Sequence, residues 1–131
     1  MGRKTILLIE DNTDFREALA DALADYEVIS TSDGTEGLKE FRSRPVDLVL
    51  LDIRMEGIDG VEVLRQIRSI NLSTPVVIIT GYSSQEVAEK VADLGVSGYL
   101  KKPFNLSTLE EKVYRLLYFQ NNPQQPLGAR A

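Results

Sequence analysis

Two stretches of this chain, Leu48-Val49-Leu50-Leu51 and Val76-Val77-Ile78-Ile79, are apolar at every position and only four residues long. A strand with one wet face would alternate apolar with polar, and a buried helix would run longer. A short continuous apolar run is therefore a strand covered on both sides, which is the signature of a parallel sheet between two layers of helix. A third run, Thr5-Ile6-Leu7-Leu8-Ile9, has the same character and stops abruptly at Glu10-Asp11.

The segments between these runs have helical spacing. Phe15, Leu19, Ala22 and Leu23 recur at three and four residues behind the capping candidates Asn12, Thr13 and Asp14, predicting a helix through Ala24. Val28-Ile29 reads as a short second strand. Ser32-Asp33-Gly34 then turns the chain into a helix marked by Gly37, Leu38 and Phe41 and closed by Pro45.

Beyond the third strand, Met55-Glu56-Gly57-Ile58-Asp59-Gly60 is turn-rich and leads to a helix with Val61, Val63, Leu64, Ile67 and Ile70. Val87, Val91, Ala92 and Leu94 predict a fourth helix ending near Gly95, and Gly98-Tyr99-Leu100 a minimal fifth strand. Leu106, Leu109, Val113, Leu116 and Leu117 form the last apolar stripe, opened by Asn105 or Ser107. Residues 120–131, with Pro123 and Pro126, lack periodicity and read as a flexible tail or linker stub behind one domain, 1–119. Five strands alternating with five helices define an α/β fold with a parallel sheet.

Composition narrows the chemistry. A net charge of −5 repels phosphodiester backbones and anionic membranes, which argues against direct nucleic-acid or membrane binding. There is no cysteine and no histidine, so thiolate and imidazole chemistry are excluded and any metal is held by oxygen. The N-terminal apolar run is far too short for a signal peptide or membrane span, and the expectation is a soluble cytoplasmic protein.

In open parallel sheets, ligands bind beyond the carboxyl ends of the strands. Here those ends carry Glu10-Asp11, Asp52, Thr80 and Lys101-Lys102. Any one of these has an ordinary structural reading as a cap, a loop start or a solvated pair. Three carboxylates facing one crevice repel each other by about 1 kcal/mol per pair at about 4 Å in water-like surroundings, and by more where water is thinned out. A small hard cation relieves that repulsion, which makes Mg²⁺ or Mn²⁺ the expected cofactor. A metal-anchored carboxylate such as Asp52 is also a candidate nucleophile toward phosphorus, with a Lys ammonium and a Thr hydroxyl to hold the remaining oxygens.

In these residues the chain resembles the receiver domains of two-component response regulators, the chemotaxis-type single-domain receivers among them. The resemblance covers about residues 4 to 119. It is carried by Glu10-Asp11, Asp52 within Leu50-Leu51-Asp52-Ile53-Arg54-Met55, Asp59-Gly60, Thr80-Gly81 and Lys102-Pro103-Phe104. It implies a flavodoxin-like, doubly wound five-stranded sheet in the order 2-1-3-4-5. It further implies Asp52 as phosphoacceptor, with Glu10, Asp11, Asp52 and the backbone carbonyl of Arg54 placing Mg²⁺. Lys102 rather than Lys101 would contact the phosphoryl group, Thr80 would bond one of its oxygens, and Tyr99 would be the switch aromatic.

The implied partners are a sensor histidine kinase or phosphotransfer protein and an output partner or effector domain. The latter would meet the face of helix 4, strand 5 and helix 5, where Glu86, Glu89, Lys90, Asp93 and Lys112 are placed; a homodimer on activation is a further form of output. Two departures stand out. Glu56 occupies a position where the family usually has Pro, adding a negative charge beside the site. The bulky Arg54 and Tyr82 stand where the family varies its dephosphorylation rate, so a long-lived aspartyl phosphate is expected. Two alternatives remain: a degenerate receiver that binds partners without phosphorylation, and an aspartyl-nucleophile phosphohydrolase. The hydrolase reading is weakened by Arg54, because such enzymes usually carry an acid two residues after the nucleophile. No glycine-rich phosphate loop follows any strand, which argues against a nucleotide-binding module.

Overall fold

The computed structural model describes residues 2–55, 59–81 and 84–119. Five parallel strands, β1 Thr5–Ile9, β2 Glu27–Thr31, β3 Leu48–Asp52, β4 Val76–Thr80 and β5 Gly98–Lys101, form one sheet in the order β2-β1-β3-β4-β5. Helices α1 Thr13–Ala22, α2 Gly34–Ser43, α3 Gly60–Ile70, α4 Ser84–Lys90 and α5 Leu106–Tyr118 connect and follow them. The strand order reverses between β1 and β3, where Ile9 pairs with Leu51, so the chain segments after these two strands emerge side by side.

Strand pleating sorts the core into two layers. Leu7, Ile9, Val49, Leu51, Val76 and Ile78 pack with Leu38, Phe41, Val63, Leu64, Ile67 and Val87 beneath α2, α3 and α4. The intervening residues Ile6, Leu8, Leu48, Leu50, Val77 and Ile79 pack with Leu19, Leu23, Leu109, Val113, Leu116 and Leu117 of the α1 and α5 side. Each fully buried aliphatic side chain contributes about 1.5–3 kcal/mol, a store large enough to offset the repulsion of acids gathered at one end of the sheet.

The helix starts follow their capping residues: Asn12, Asp33, Asp59 and Asn105 each accept a hydrogen bond from a backbone N–H two or three residues on. Some boundaries differ from the sequence expectation. Helix α1 stops at Ala22 instead of Ala24, and β2 extends over five residues because β1 offers it a full parallel partner. Ile70, expected on the apolar stripe of α3, is 46% exposed at the end of that helix.

The largest difference is α4, which ends at Lys90 although the apolar spacing runs on through Leu94; Ala92 is exposed. Beyond it, α3 holds the chain: the buried Arg68 guanidinium donates to the carbonyls of Leu94 (2.7 Å), Gly95 (2.6 Å), Thr74 (2.8 Å) and Asn71 (3.1 Å). Gly95 makes the exit at φ 72°, a left-handed conformation that suits a residue without Cβ. Among the described residues no helix is long and apolar enough to cross a membrane.

Candidate functional site

The segments leaving β1, β3 and β5 bring Glu10, Asp52 and Lys102 to one face of the sheet edge. Glu10 follows the Ile6, Leu8 series, Asp52 the Leu48, Leu50 series, and Lys102 stands two residues beyond Leu100, all on the α1 and α5 side. The same alternation turns Lys101 away, and Lys101 is exposed.

Glu10 has no exposed surface. Its Oε2 accepts a hydrogen bond from the Asn12 amide at 3.0 Å. Its Oε1 lies 3.2 Å from Lys102 Nζ but receives no hydrogen bond among the described residues. Burial pushes the Glu10 carboxyl up to about 7, and the neighbouring Asp52 charge adds to the rise, while the Asn12 amide and the Lys102 ammonium oppose it. Asp52, the last residue of β3, is 3% exposed. Its Oδ1 accepts from the Arg54 amide at 3.0 Å and its Oδ2 stands 3.5 Å from Lys102 Nζ.

Asp11 is exposed at the mouth of the crevice, and ligand oxygens of Glu10, Asp11 and Asp52 all lie within 4.8 Å of one another. The Lys102 ammonium and the Arg16 guanidinium face three carboxylates, and the buried Glu10 Oε1 accepts no well-aligned hydrogen bond among the described residues. An all-oxygen set with an unsatisfied buried carboxylate oxygen fits a hard divalent cation, with Mg²⁺ the chemical match.

Thr80 ends β4 and has no exposed surface. Its carbonyl accepts the Lys102 amide at 2.7 Å, which ties the chain after β5 to the end of β4, and the Lys102–Pro103 peptide is cis. Tyr99, half-buried, pairs with Ile78 in register and packs into the α3 and α4 layer, where burial raises its phenol above the ordinary value. The Ile78–Tyr99 and Thr80–Lys101 register pairs therefore stand two rungs apart on one ladder, with Ile79–Leu100 between them.

The loop after Asp52 is pinned from α3. Asp59 caps that helix, accepting from the Val61 and Glu62 amides at 2.7 and 3.1 Å. Gly60 sits so close that a Cβ there would lie 2.6 Å from the Ile53 Cα and 2.7 Å from the Asp52 carbonyl oxygen. The Asp59-Gly60 pair, expected as turn chemistry, is thus a helix cap and a close backbone contact. The Arg54 side chain is exposed. Glu56 and Tyr82, on which the two departures rest, and residues 120–131 lie outside the described residues.

Three residues that brace the end of β1 and Lys102 were not legible in that role. Arg16 donates to the Glu10 carbonyl at 2.8 Å, and Thr31 Oγ1 donates to the Leu8 carbonyl at 3.0 Å. Phe15, read as core, is only half-buried, and its ring lies under Lys102 Nζ at 4.5 Å from the centroid. The available signal for Phe15 was its place one turn into the helix that Asn12 caps, next to the acid pair.

The sequence matches the family model described as response regulator receiver domain over residues 6–114. It is 37% identical over 113 residues to the transcriptional regulatory protein CiaR of Streptococcus pneumoniae, a match covering 86% of this chain and 50% of that protein. It is 33% identical over 128 residues to the DNA-binding transcriptional regulator NtrC of Escherichia coli, covering 96% of this chain and 27% of that protein. The chain thus spans about half, or less, of the length of these relatives. Among solved structures it is similar to a CheY-like receiver domain protein of Methanospirillum hungatei, with a TM-score of 0.84 and 27% identity, covering 88% of this chain and 94% of that one. The response regulator protein TrrA of Thermotoga maritima, solved in complex with Mg²⁺ and BeF, aligns with a TM-score of 0.79 and 37% identity over 87% of this chain and 99% of that one.

Proposed function

Because this chain belongs to the response regulator receiver domain family, we propose that it is a phosphorylation-driven signalling switch in which Asp52 accepts a phosphoryl group from a sensor histidine kinase or phosphotransfer protein. The observation that carries this reading is the placement of Lys102 Nζ at 3.2 Å from Glu10 and 3.5 Å from Asp52, inside a set of three converging carboxylates. In a mechanism of this kind, an Asp52 carboxylate oxygen attacks phosphorus. The new O–P bond forms as the N–P bond of the donor phosphohistidine breaks, and the imidazole keeps the electron pair.

Bound Mg²⁺, or Mn²⁺ in its place, would be held by Glu10, Asp11, Asp52 and the Arg54 backbone carbonyl and would neutralise charge on the transferring group. The chain's own residues do the rest. The Arg54 amide, already on Asp52 Oδ1, orients the carboxylate so that its other oxygen faces the crevice. Lys102 offers its ammonium to a phosphoryl oxygen, and Thr80 offers its hydroxyl to another. A Thr80 side chain drawn toward the phosphoryl group vacates space on the Tyr99 side of the sheet, which shifts a pre-existing equilibrium toward an active surface.

That surface comprises α4, β5 and α5. Glu86, Glu89, Lys90 and Asp93 are exposed there, available to an output partner, an effector domain or a second copy of the chain, and Lys112 packs across Gly98 of β5. The proposed setting is the cytoplasm, where histidine kinases present their phosphoryl groups. The test is intact-protein mass after incubation with a small acyl phosphate and Mg²⁺, wild type beside Asp52→Asn. One added phosphoryl group, removed by hydroxylamine and missing from the variant, supports the switch. An unmodified wild type favours a receiver that works without phosphorylation.

A further inference from the structure

The ammonium of Lys102 is held from two sides. The carboxylates of Glu10 and Asp52 lie on one, and the face of the Phe15 ring lies on the other, 4.5 Å from Nζ to the centroid and well inside the range of about 6 Å over which a cation feels the ring quadrupole. The ring is itself fixed. Phe104 meets it edge-on at 5.7 Å and 75°, and the Phe15 amide donates to the Asn12 side chain at 2.8 Å. Phe15 comes from α1 and Phe104 from the segment two residues beyond Lys102, so the aromatic pair joins α1 to the chain that carries the amine.

The two holds differ in what weakens them. The ionic hold depends on the charge of Glu10 and Asp52 and fades as a divalent cation takes up that charge. The quadrupole of a phenyl ring is untouched by such a cation. A lysine on a flexible four-carbon stem, 30% exposed, would otherwise gain rotamer freedom at the stage when its position matters.

We infer that Phe15 is a positioning residue for Lys102: its ring face, braced by Phe104, keeps the ammonium over the crevice when the neighbouring acids no longer do. The inference deepens the reading of Lys102 as the phosphoryl contact and rests on it. Leucine at position 15 would preserve apolar packing against Phe104 but carry no quadrupole, whereas tyrosine would keep the ring face.

Two measurements on the whole chain test it. In metal-free protein, NMR of the Lys102 ε-methylene protons should show an upfield ring-current shift that is lost in Phe15→Leu and kept in Phe15→Tyr. At fixed Mg²⁺, the beryllofluoride concentration that half-saturates the protein should rise about fivefold in Phe15→Leu and return toward the wild-type value in Phe15→Tyr. A wild-type Lys102 resonance without ring shift overturns the inference, even if Phe15→Leu fails to fold. A folded Phe15→Leu with wild-type beryllofluoride saturation overturns it as well. A wild type that shows the ring shift but takes up no beryllofluoride overturns the phosphoryl-accepting reading while upholding the contact.

Discussion

The Glu10 carboxylate and the Lys102 ammonium lie 3.2 Å apart, with Glu10 fully buried and one of its oxygens left without a hydrogen bond. The amine from the segment after β5 thus stands between the acid that follows β1 and the acid that ends β3. The pairing leaves a buried acid that is a stability liability.

Stability without divalent cation should fall as pH rises from about 4.5 to about 7. Glu10 has its carboxyl raised from 4.5 to about 7, so across that window the folded chain holds a proton that the unfolded chain has released. The contribution is fully present below the lower value and lost above the upper one, with an upper limit of about 3 kcal/mol. Urea unfolding of wild type and Glu10→Gln at pH 5 and pH 8 isolates the term as a difference in slope. Saturating Mg²⁺ at pH 8 should stabilise the wild type more than the variant, and equal gains would remove Glu10 from the cation set.

Gly60→Ala should damage the loop that follows Asp52 more than a helix-start substitution ordinarily does. The added methyl would meet backbone atoms, the Ile53 Cα and the Asp52 carbonyl oxygen, at 2.6 and 2.7 Å, and backbone cannot swing aside as a side chain tip can. The expected cost is about 2 kcal/mol or more, with slower phosphorylation at Asp52 in the fraction that folds. Denaturant midpoints and the rate of mass gain with an acyl phosphate measure the two effects.

Removing the Arg68 guanidinium should loosen the chain between α4 and β5. Arg68→Met leaves the carbonyls of Leu94, Gly95, Thr74 and Asn71 without their shared donor, at an expected cost of about 3 kcal/mol. Amide exchange should quicken at Ser97, whose N–H donates to the Val76 carbonyl just beyond the lost contacts. Unchanged protection at Ser97 would mean that β4 alone holds this segment.

Arg54 sets the fourth expectation. Its exposed side chain stands two residues from Asp52, close enough in the chain to bear on access of water to a phosphoryl group there. Arg54→Asn should shorten the phosphoryl lifetime several-fold, followed by the decay of the added mass after the donor is removed. A lifetime equal to that of the wild type would assign the barrier elsewhere.

Much of the fold was legible because burial writes itself into local order. Runs apolar at every position predicted β1, β3 and β4, and Asn12, Asp33 and the Asn105 alternative correctly marked helix starts. The polar residues that end the runs, Glu10, Asp52 and Thr80, are all buried. Alternation even bears on the choice between the two lysines, since Lys102 lies an even number of residues from Leu100 and shares its face. The periodicity failed at α4, where Val91 and Leu94 are spaced for a helix but lie beyond its end at Lys90, in a segment whose Leu94 and Gly95 carbonyls are held by Arg68.

Spacing within a segment reports which side of that segment is covered, because covering is a property that each residue acquires from its own layer. It carries no record of which segments become neighbours. That Glu10 and Asp52 meet depends on β1 and β3 lying edge to edge, with Ile9 opposite Leu51. That a ring at position 15 lies under an amine at position 102 depends on α1 and the segment after β5 closing over the same face. The chain's letters set the elements and the chemistry at their ends, and the crossover geometry of the sheet decided which of those ends share a crevice, since only through-space packing brings such distant residues within range of each other's charge.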